Sequence, residues 1–328
     1  MDLFELLSAL SGAAGIGNVN ETEQICRDYL GDTELSRDKN GNITAFKKGK
    51  NDRTLLLDAH IDEVGFIVTH VEGSFLTVSS VGGIDARILA GQRVRIYGRK
   101  TIKGVFCSTP PHLKESGGKL PGVTDIKIDT GLDDASAVVS PGDFAVYDCG
   151  LIRLHKSRVT GKALDNRAGA AAVLTAFKAL KDPPVNVAML LSAEEELGCR
   201  GAGVGGFALQ PYAAIAVDVS FGNFPGLPEH KTGRLGGGAM IGISPVLNGH
   251  MTDRLISLGG TDPYTPEIMG GKTGTNADVI SLTREGVPTA LLSIPLRNMH
   301  TPAEVVDLKD IEAVSSLIVK YIESEGIR

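Results

Sequence analysis

The chain reads as an α/β protein, a mixed sheet with helices on both faces, carrying a smaller inserted β-barrel-like domain. Three observations predict this. Short, nearly continuous apolar runs at 53–59, 187–192, 213–219 and 288–294 have the look of parallel strands buried on both faces. From residue 163 onward, segments with apolar residues at helical spacing alternate with them. Between Val68 and Ser157 the texture changes to alternating strands divided by Gly/Pro turns.

Taken in order, Asp2–Leu10 and Glu21–Leu30 carry helical periodicity on either side of a Gly/Asn loop. Strands are expected at Thr33–Arg37 and Asn42–Lys47, joined by the Asn40-Gly41 turn. Arg53–Ala59 is a buried strand ending in His60-Ile61-Asp62-Glu63. The middle region offers GSFLTVSS, QRVRIYG, TIKGVFC, DIKIDTG and DFAVYDC as strands, with room for one short helix at Asp133–Val139. A long helix follows at Ala163–Leu180. Strands are then expected at Val187–Ser192, Ala213–Val219, Ala239–Ile243 and Pro288–Ile294, with helices at His250–Leu258 and Asn276–Arg284. The last helix, Leu308–Ser324, has Asp307 as its cap. Residues 1–67 and 158–328 therefore form one catalytic domain in two parts, and 68–157 is the insertion.

Composition narrows the function classes. The chain has 328 residues, enough for a substantial core, and a net charge of −6, which argues against nucleic acid as a partner. It has no tryptophan, which weighs against polysaccharide binding. No apolar run approaches the roughly 18 residues of a membrane span, and the N-terminus lacks the basic start of a signal peptide. Four scattered cysteines without a CxxC pair indicate neither a disulfide framework nor a cysteine zinc site, so a cytoplasmic location is expected. Gly271-Lys272-Thr273 is not a phosphate loop, because Pro266 stands where its first glycine belongs.

The polar residues stranded at predicted strand ends carry the chemistry. They are His60 and Asp62 after the first buried strand, and Asp165 at the start of the long helix. Glu194, Glu195 and Glu196 follow VNVAMLLS, Asp218 closes AAIAVDV, and His300 lies in RNMHTPAEV. Singly, each has a plainer explanation: a surface or core histidine, a helix cap, a solvated acidic helix start. Jointly they do not, since a parallel sheet turns such ends toward one crevice. Two imidazoles with several carboxylates and no thiol suit zinc, cobalt or manganese. Five ligands exceed one tetrahedral site but suit two ions sharing a carboxylate. Asp165, Glu196 and Asp218 bring three negative charges against four positive; a hydroxide completes neutrality, and a further glutamate is left to move protons.

The same residues carry a family resemblance. His60-Ile61-Asp62-Glu63-Val64-Gly65-Phe66 resembles the H-x-D-E-V-G-F segment of the dinuclear-metal aminopeptidases that assemble as tetrahedral dodecamers, a family that includes glutamyl and deblocking aminopeptidases and so-called endoglucanases. Ala163-Leu164-Asp165-Asn166-Arg167 resembles its D-D-R segment, and Glu195-Glu196-Leu197-Gly198 with Arg200-Gly201-Ala202 resembles E-E-V-G-x-R-G-A. Asp218-Val219 is similar to its D-V segment. Ile294-Pro295, Arg297, Met299-His300-Thr301-Pro302 and Glu304-Val305-Val306 resemble I-P-x-R-x-x-H-S-P-x-E-V-V. Gly104-Val105, Ser108 and Pro110-Pro111-His112-Leu113 match within the insertion, and Asp38 with Gly41-Asn42 near the N-terminus.

The resemblance implies a zinc-aminopeptidase-like fold and a co-catalytic pair of divalent ions per subunit, zinc first, cobalt or manganese as alternatives. It implies His60, Asp165, Glu196, Asp218 and His300 as metal ligands, with Asp165 shared. Glu195 becomes the general base, Asp62 the carboxylate that orients His60, and Glu194 a structural residue. Short peptides are the implied substrates. The inserted domain is implied to mediate oligomerisation, through dimers to a tetrahedral dodecamer. Two positions depart from the pattern: Asn166 replaces the second Asp of D-D-R, and Asn276 replaces the Asp of G-T-D-A, where altered substrate contacts are expected. A deacylase or carboxypeptidase with the same metal centre is the nearest alternative. A glycosidase or a non-catalytic scaffold is more remote.

Overall fold

The computed structural model describes residues 1–110, 112, 120–260 and 262–326, so Pro111 and Leu113 of the PPHL stretch lie outside the described residues. The chain opens with helices α1 (Leu3–Gly12) and α2 (Asn20–Leu30), then strands β1 (Leu35–Arg37), β2 (Ile43–Lys47) and β3 (Thr54–His60). Strands β4 (Gly65–Glu72), β5 (Phe75–Val81), β6 (Arg93–Tyr97), β7 (Thr101–Phe106), β8 (Ile128–Asp129) and β9 (Phe144–Tyr147) come next. After β10 (Ile152–Arg153) and β11 (Arg158–Gly161) come α3 (Leu164–Ala179), β12 (Asn186–Ser192), α4 (Arg200–Leu209), β13 (Ala213–Phe221) and β14 (Ala239–Ile243). The chain finishes with α5 (Gly249–Gly259), β15 (Tyr264–Ile268), α6 (Ala277–Ile280), β16 (Thr289–Leu296), β17 (Glu304–Asp307) and α7 (Leu308–Ser324).

The main sheet has eight strands in the order β1-β2-β12-β3-β13-β16-β14-β15. Its four central strands, β12, β3, β13 and β16, run parallel. They are buried almost throughout, which is why they read as unbroken apolar runs. The sheet becomes mixed where β2 joins β12 and β14 joins β16, both antiparallel. Helix α3 buries nearly every residue, including Ala168, Gly169 and Ala170–Ala172, so its small side chains let it lie close against β3 and β13. Helix α7 packs on α3, and Asp307 caps it by accepting the Lys309 N–H.

Strands β4-β5-β8-β7-β6-β9 close a barrel with its own core, where the Phe66 ring meets Phe106 and Tyr147 edge-on at 4.8 and 5.6 Å. A small three-stranded sheet, β10-β11-β17, lies outside both. Among the described residues no helix is long and apolar enough to cross a membrane.

Several local expectations change. The helix expected at Asp133–Val139 is a 3-10 turn, Ala135–Ala137, that Asp134 caps and Ala135 anchors in the barrel core. The helix expected at Asn276–Arg284 is the single turn of α6, since Arg284 and Gly286 take left-handed backbone and the Val287 N–H returns to the Ser281 carbonyl. DIKIDTG keeps only Ile128–Asp129 as strand. Strand β15 went unpredicted because Pro266 interrupts it; it is tolerated because β15 is an edge.

Candidate metal centre

Register brings the candidates together. Ser192, which ends β12, pairs with His60, which ends β3. On the other side of β3, Ala216 pairs with Asp58, so two residues on Asp218 comes level with His60. The Glu194–Glu196 turn leaves β12 beside that edge, α3 begins there with Asp165, and the loop after β16 returns there with His300. All these residues are buried or half-buried.

The donor atoms fall into three overlapping triads, two of which share the Asp165 carboxylate. His60, Asp165 and Asp218 form the first; Asp165, Glu196 and His300 form the second, all donor atoms within 4.8 Å of one another in each. Asp165 Oδ1 lies 3.2 Å from His60 Nε2, and Asp165 Oδ2 lies 3.3 Å from His300 Nε2. Asp218 Oδ1 is 3.7 Å from His60 Nε2, and Glu196 Oε1 is 3.2 Å from His300 Nε2. A tetrahedral ion held at about 2.0–2.1 Å from each donor spaces neighbouring donors about 3.3 Å apart. The donor set fits two such ions. The third triad is His60, Glu195 and Glu196, with Glu195 Oε2 3.9 Å from His60 Nε2.

The electrostatics call for cations. His300 is pushed up to about 11 by hydrogen bonding to Asp165 and Glu196. His60 is raised too, because Asp165 and Asp62 outweigh the effect of its burial. Burial pushes Asp218 and Glu195 up; nearby Asp165 and Glu195 add to the first, Glu196 to the second, and His60 opposes both. Crowded carboxylates thus claim whatever positive charge is near, and without ions the imidazoles supply it.

A supporting layer fixes these groups. Asp62 Oδ1 and Oδ2 accept the backbone N–H groups of Glu195 and Glu196, each at 3.0 Å, and Oδ1 lies 3.4 Å from His60 Nδ1. Asn42 clamps both ends of the same turn, accepting from Ala193 N at 2.9 Å and donating to Gly201 O at 2.9 Å. Buried Glu304 accepts from the backbone N–H of Asp165 at 3.0 Å and of His300 at 2.8 Å. His300 Nδ1 meets the Gly83 carbonyl, in the loop after β5, at 2.8 Å, which leaves Nε2 for the carboxylates. Ala163, Glu194, Cys199 and His300 all take left-handed backbone, the strained geometry that collects at functional sites.

Glu194 points elsewhere, pairing with exposed Arg200 at 2.9 Å. Asn166 is a scaffold residue: it donates to Val217 O at 2.8 Å and accepts from Gly169 N at 2.9 Å near the start of α3. Asn276 is buried and turned inward, giving its amide to Asp58 Oδ2 and Ser192 Oγ, both at 2.8 Å. Its neighbours Thr273, Gly274 and Thr275 line the cavity.

The sequence profile of the M42 glutamyl aminopeptidases matches residues 41–317. The chain belongs to that family. By that membership it is an aminopeptidase, a metal-dependent hydrolase. The lysyl aminopeptidase of Pyrococcus furiosus is 30% identical, over 96% of this chain and 93% of its own. Among solved structures, the aminopeptidase APDkam598 of the archaeon Desulfurococcus kamchatkensis superposes with a TM-score of 0.92 at 30% identity, over 98% of this chain and 94% of its own. The Pyrococcus horikoshii TET1 peptidase, which can assemble into a tetrahedron or a large octahedral shell, gives 0.85 at 27% identity, over 98% and 99%.

In this M42 chain the candidate metal centre opens onto a cavity of about 540 Å³ that also reaches Ser220, Met240 and Glu267. Sequence reasoning assigns no role to Asn42, Glu304, Asp58 or Glu267. Asn42 and Glu304 stand in segments that match the family, and Asp58 is a charge inside the apolar run LLLDA; Glu267 carries no such signal.

Proposed function

We propose that this chain removes the N-terminal residue of short peptides at a pair of divalent ions, zinc first, with cobalt or manganese as alternatives. His60, Asp165 and Asp218 hold one ion; Asp165, Glu196 and His300 hold the other. The observation that carries this reading is the split of Asp165, one oxygen toward each histidine at 3.2 and 3.3 Å. Bound there, the ions supply Lewis acidity toward the scissile carbonyl and make the attacking water more acidic.

The chain's own residues do the rest. Glu195, half-buried and not one of the residues assigned above to the two ions, takes the proton of the attacking water and returns it to the leaving amine. Asp62 holds the Glu195-Glu196 backbone and backs His60, so it positions and does not itself react. Glu194 belongs to the surface pair with Arg200.

The division into catalytic parts 1–67 and 158–328 and an inserted unit 68–157 that joins subunits, through dimers to a dodecamer, is part of this proposal. The assembling TET1 relative supports it. So is a cytoplasmic setting. The family takes its name from glutamyl aminopeptidase while the Pyrococcus furiosus relative is a lysyl aminopeptidase, so membership leaves the first residue to this chain's own pocket.

The test uses metal-stripped protein reloaded with each candidate ion. Aminoacyl anilides should be cleaved and their N-acetylated forms should not. Cleavage of the acetylated form would make the enzyme a deacylase, and binding of a single ion per chain would overturn the two-ion site.

A further inference from the structure

One face of the sheet carries a polar row that continues past the metal centre. On β13, Asp218 and Ser220 are two residues apart and share a face. Ser293 of β16 is the ladder partner of Asp218. Glu267, on edge strand β15, reaches back to this row: Oε2 accepts from Ser293 Oγ at 2.7 Å, and Oε1 accepts from Ser220 Oγ. The carboxylate is half-buried and lines the same cavity as His60, Asp165 and His300.

Its chemistry is that of an acceptor waiting for a donor. Both serine hydroxyls donate to it, which favours the charged form, and each oxygen retains capacity for another hydrogen bond. Burial works the other way and raises its pKa above the ordinary carboxylate value. A cation entering the cavity relieves that burial cost.

The strand spacing suits a side-chain cation. Ser220 lies about 7 Å along the strand from Asp218, two residues of about 3.4 Å each. A lysine side chain spans about 6 Å from Cα to Nζ, five bonds of about 1.5 Å in zigzag. The substrate's α-amine lies two bonds from the reacting carbonyl carbon whatever the first residue, so it gives no preference among first residues.

We propose that Glu267 selects a basic first residue, accepting the side-chain ammonium or guanidinium of an N-terminal lysine or arginine. The proposal rests on the aminopeptidase reading above and names its substrate class. Met240 and Met269 on the cavity wall suit the methylene stem. His230 and Lys231 line the cavity as well, but both are exposed, where water and salt weaken their repulsion. Acidic first residues meet Glu267 as a like charge.

The test compares kcat/KM for Lys-, Arg-, Leu- and Glu-p-nitroanilide on metal-loaded wild type, Glu267→Gln and Lys231→Met. Wild type should favour Lys and Arg over both others. Glu267→Gln should lower the Lys-to-Leu ratio about 10–100-fold, the size of one charge-assisted hydrogen bond; a ratio is indifferent to the fraction of variant that folds. A wild-type preference for Glu that Lys231→Met removes would overturn the proposal, as would an unchanged Lys-to-Leu ratio in Glu267→Gln. Cleavage of Leu-anilide with no basic preference sinks this proposal alone. Two bound ions with no anilide cleaved at all sinks it together with the aminopeptidase reading.

Discussion

Asp62 and Glu195 are joined through the main chain: Asp62 Oδ1 accepts the Glu195 N–H at 3.0 Å, and the other oxygen takes that of Glu196 at the same distance. One carboxylate therefore sets the turn from which both the proposed base and a proposed ligand project. Asp62→Ala should weaken ion binding about 10–100-fold and lower kcat, the size expected for groups that orient ligands. Asp62→Asn, which keeps one acceptor, should fall between. Calorimetric ion titration beside steady-state kinetics checks both.

Glu195→Gln should retain two ions and lose about 10²–10⁴-fold in kcat, the contribution of a positioned base. Glu194→Gln, which breaks only a surface pair with Arg200, should remain near wild type. If the two variants exchange behaviour, the register within the three glutamates is off by one.

Removal of the ions should abolish turnover and lower the melting temperature, since ligands bound only by the folded state stabilise it by about 2.7 kcal/mol at a hundredfold excess over Kd. The shared carboxylate sharpens the measurement. Asp165→Asn should weaken both ions, while Asp218→Asn and His300→Ala should each weaken chiefly one, read as stoichiometry by elemental analysis after gel filtration.

Asn276→Asp restores the family's residue but sets a second carboxylate against buried Asp58, 218 positions away, which burial already raises to about 6 despite hydrogen bonds from Ser192 and Asn276. The substitution exchanges a hydrogen bond for a buried like-charge contact and should cost about 2–4 kcal/mol. Urea unfolding at neutral pH measures it; an unchanged midpoint would mean the pair relaxes apart.

The sheet and its reactive edge were legible because both are written locally. LLLDAH, AAIAVDV and VNVAMLLS are apolar where strands are buried and polar where they end, so His60 and Asp218 stand out unaided. Glu195 and Glu196 needed the following LG-x-RGA to fix their register. Of the supporting layer Asp62 was legible behind His60, but the tasks of Asn42 and Glu304 were not, because their partners are distant in the chain: Asn42 acts on Ala193 across 151 positions, and Glu304 on Asp165 across 139. Strand β15 was hidden for another reason. It is exposed on alternate residues, contains Pro266, and turns toward the cavity a carboxylate that no apolar pattern announces.

The Gly83 carbonyl, offered by the barrel to His300 Nδ1 at 2.8 Å, bears on how far this molecule is modular. A graft that swapped the barrel for another would leave the five proposed ligand residues in the chain, yet strip one of them of the contact that chooses its tautomer. The ring could then carry its proton on the nitrogen that should face an ion. Barrel and sheet are in this respect a single inheritance, and a chimera must carry the loop after β5 along with the histidine it serves.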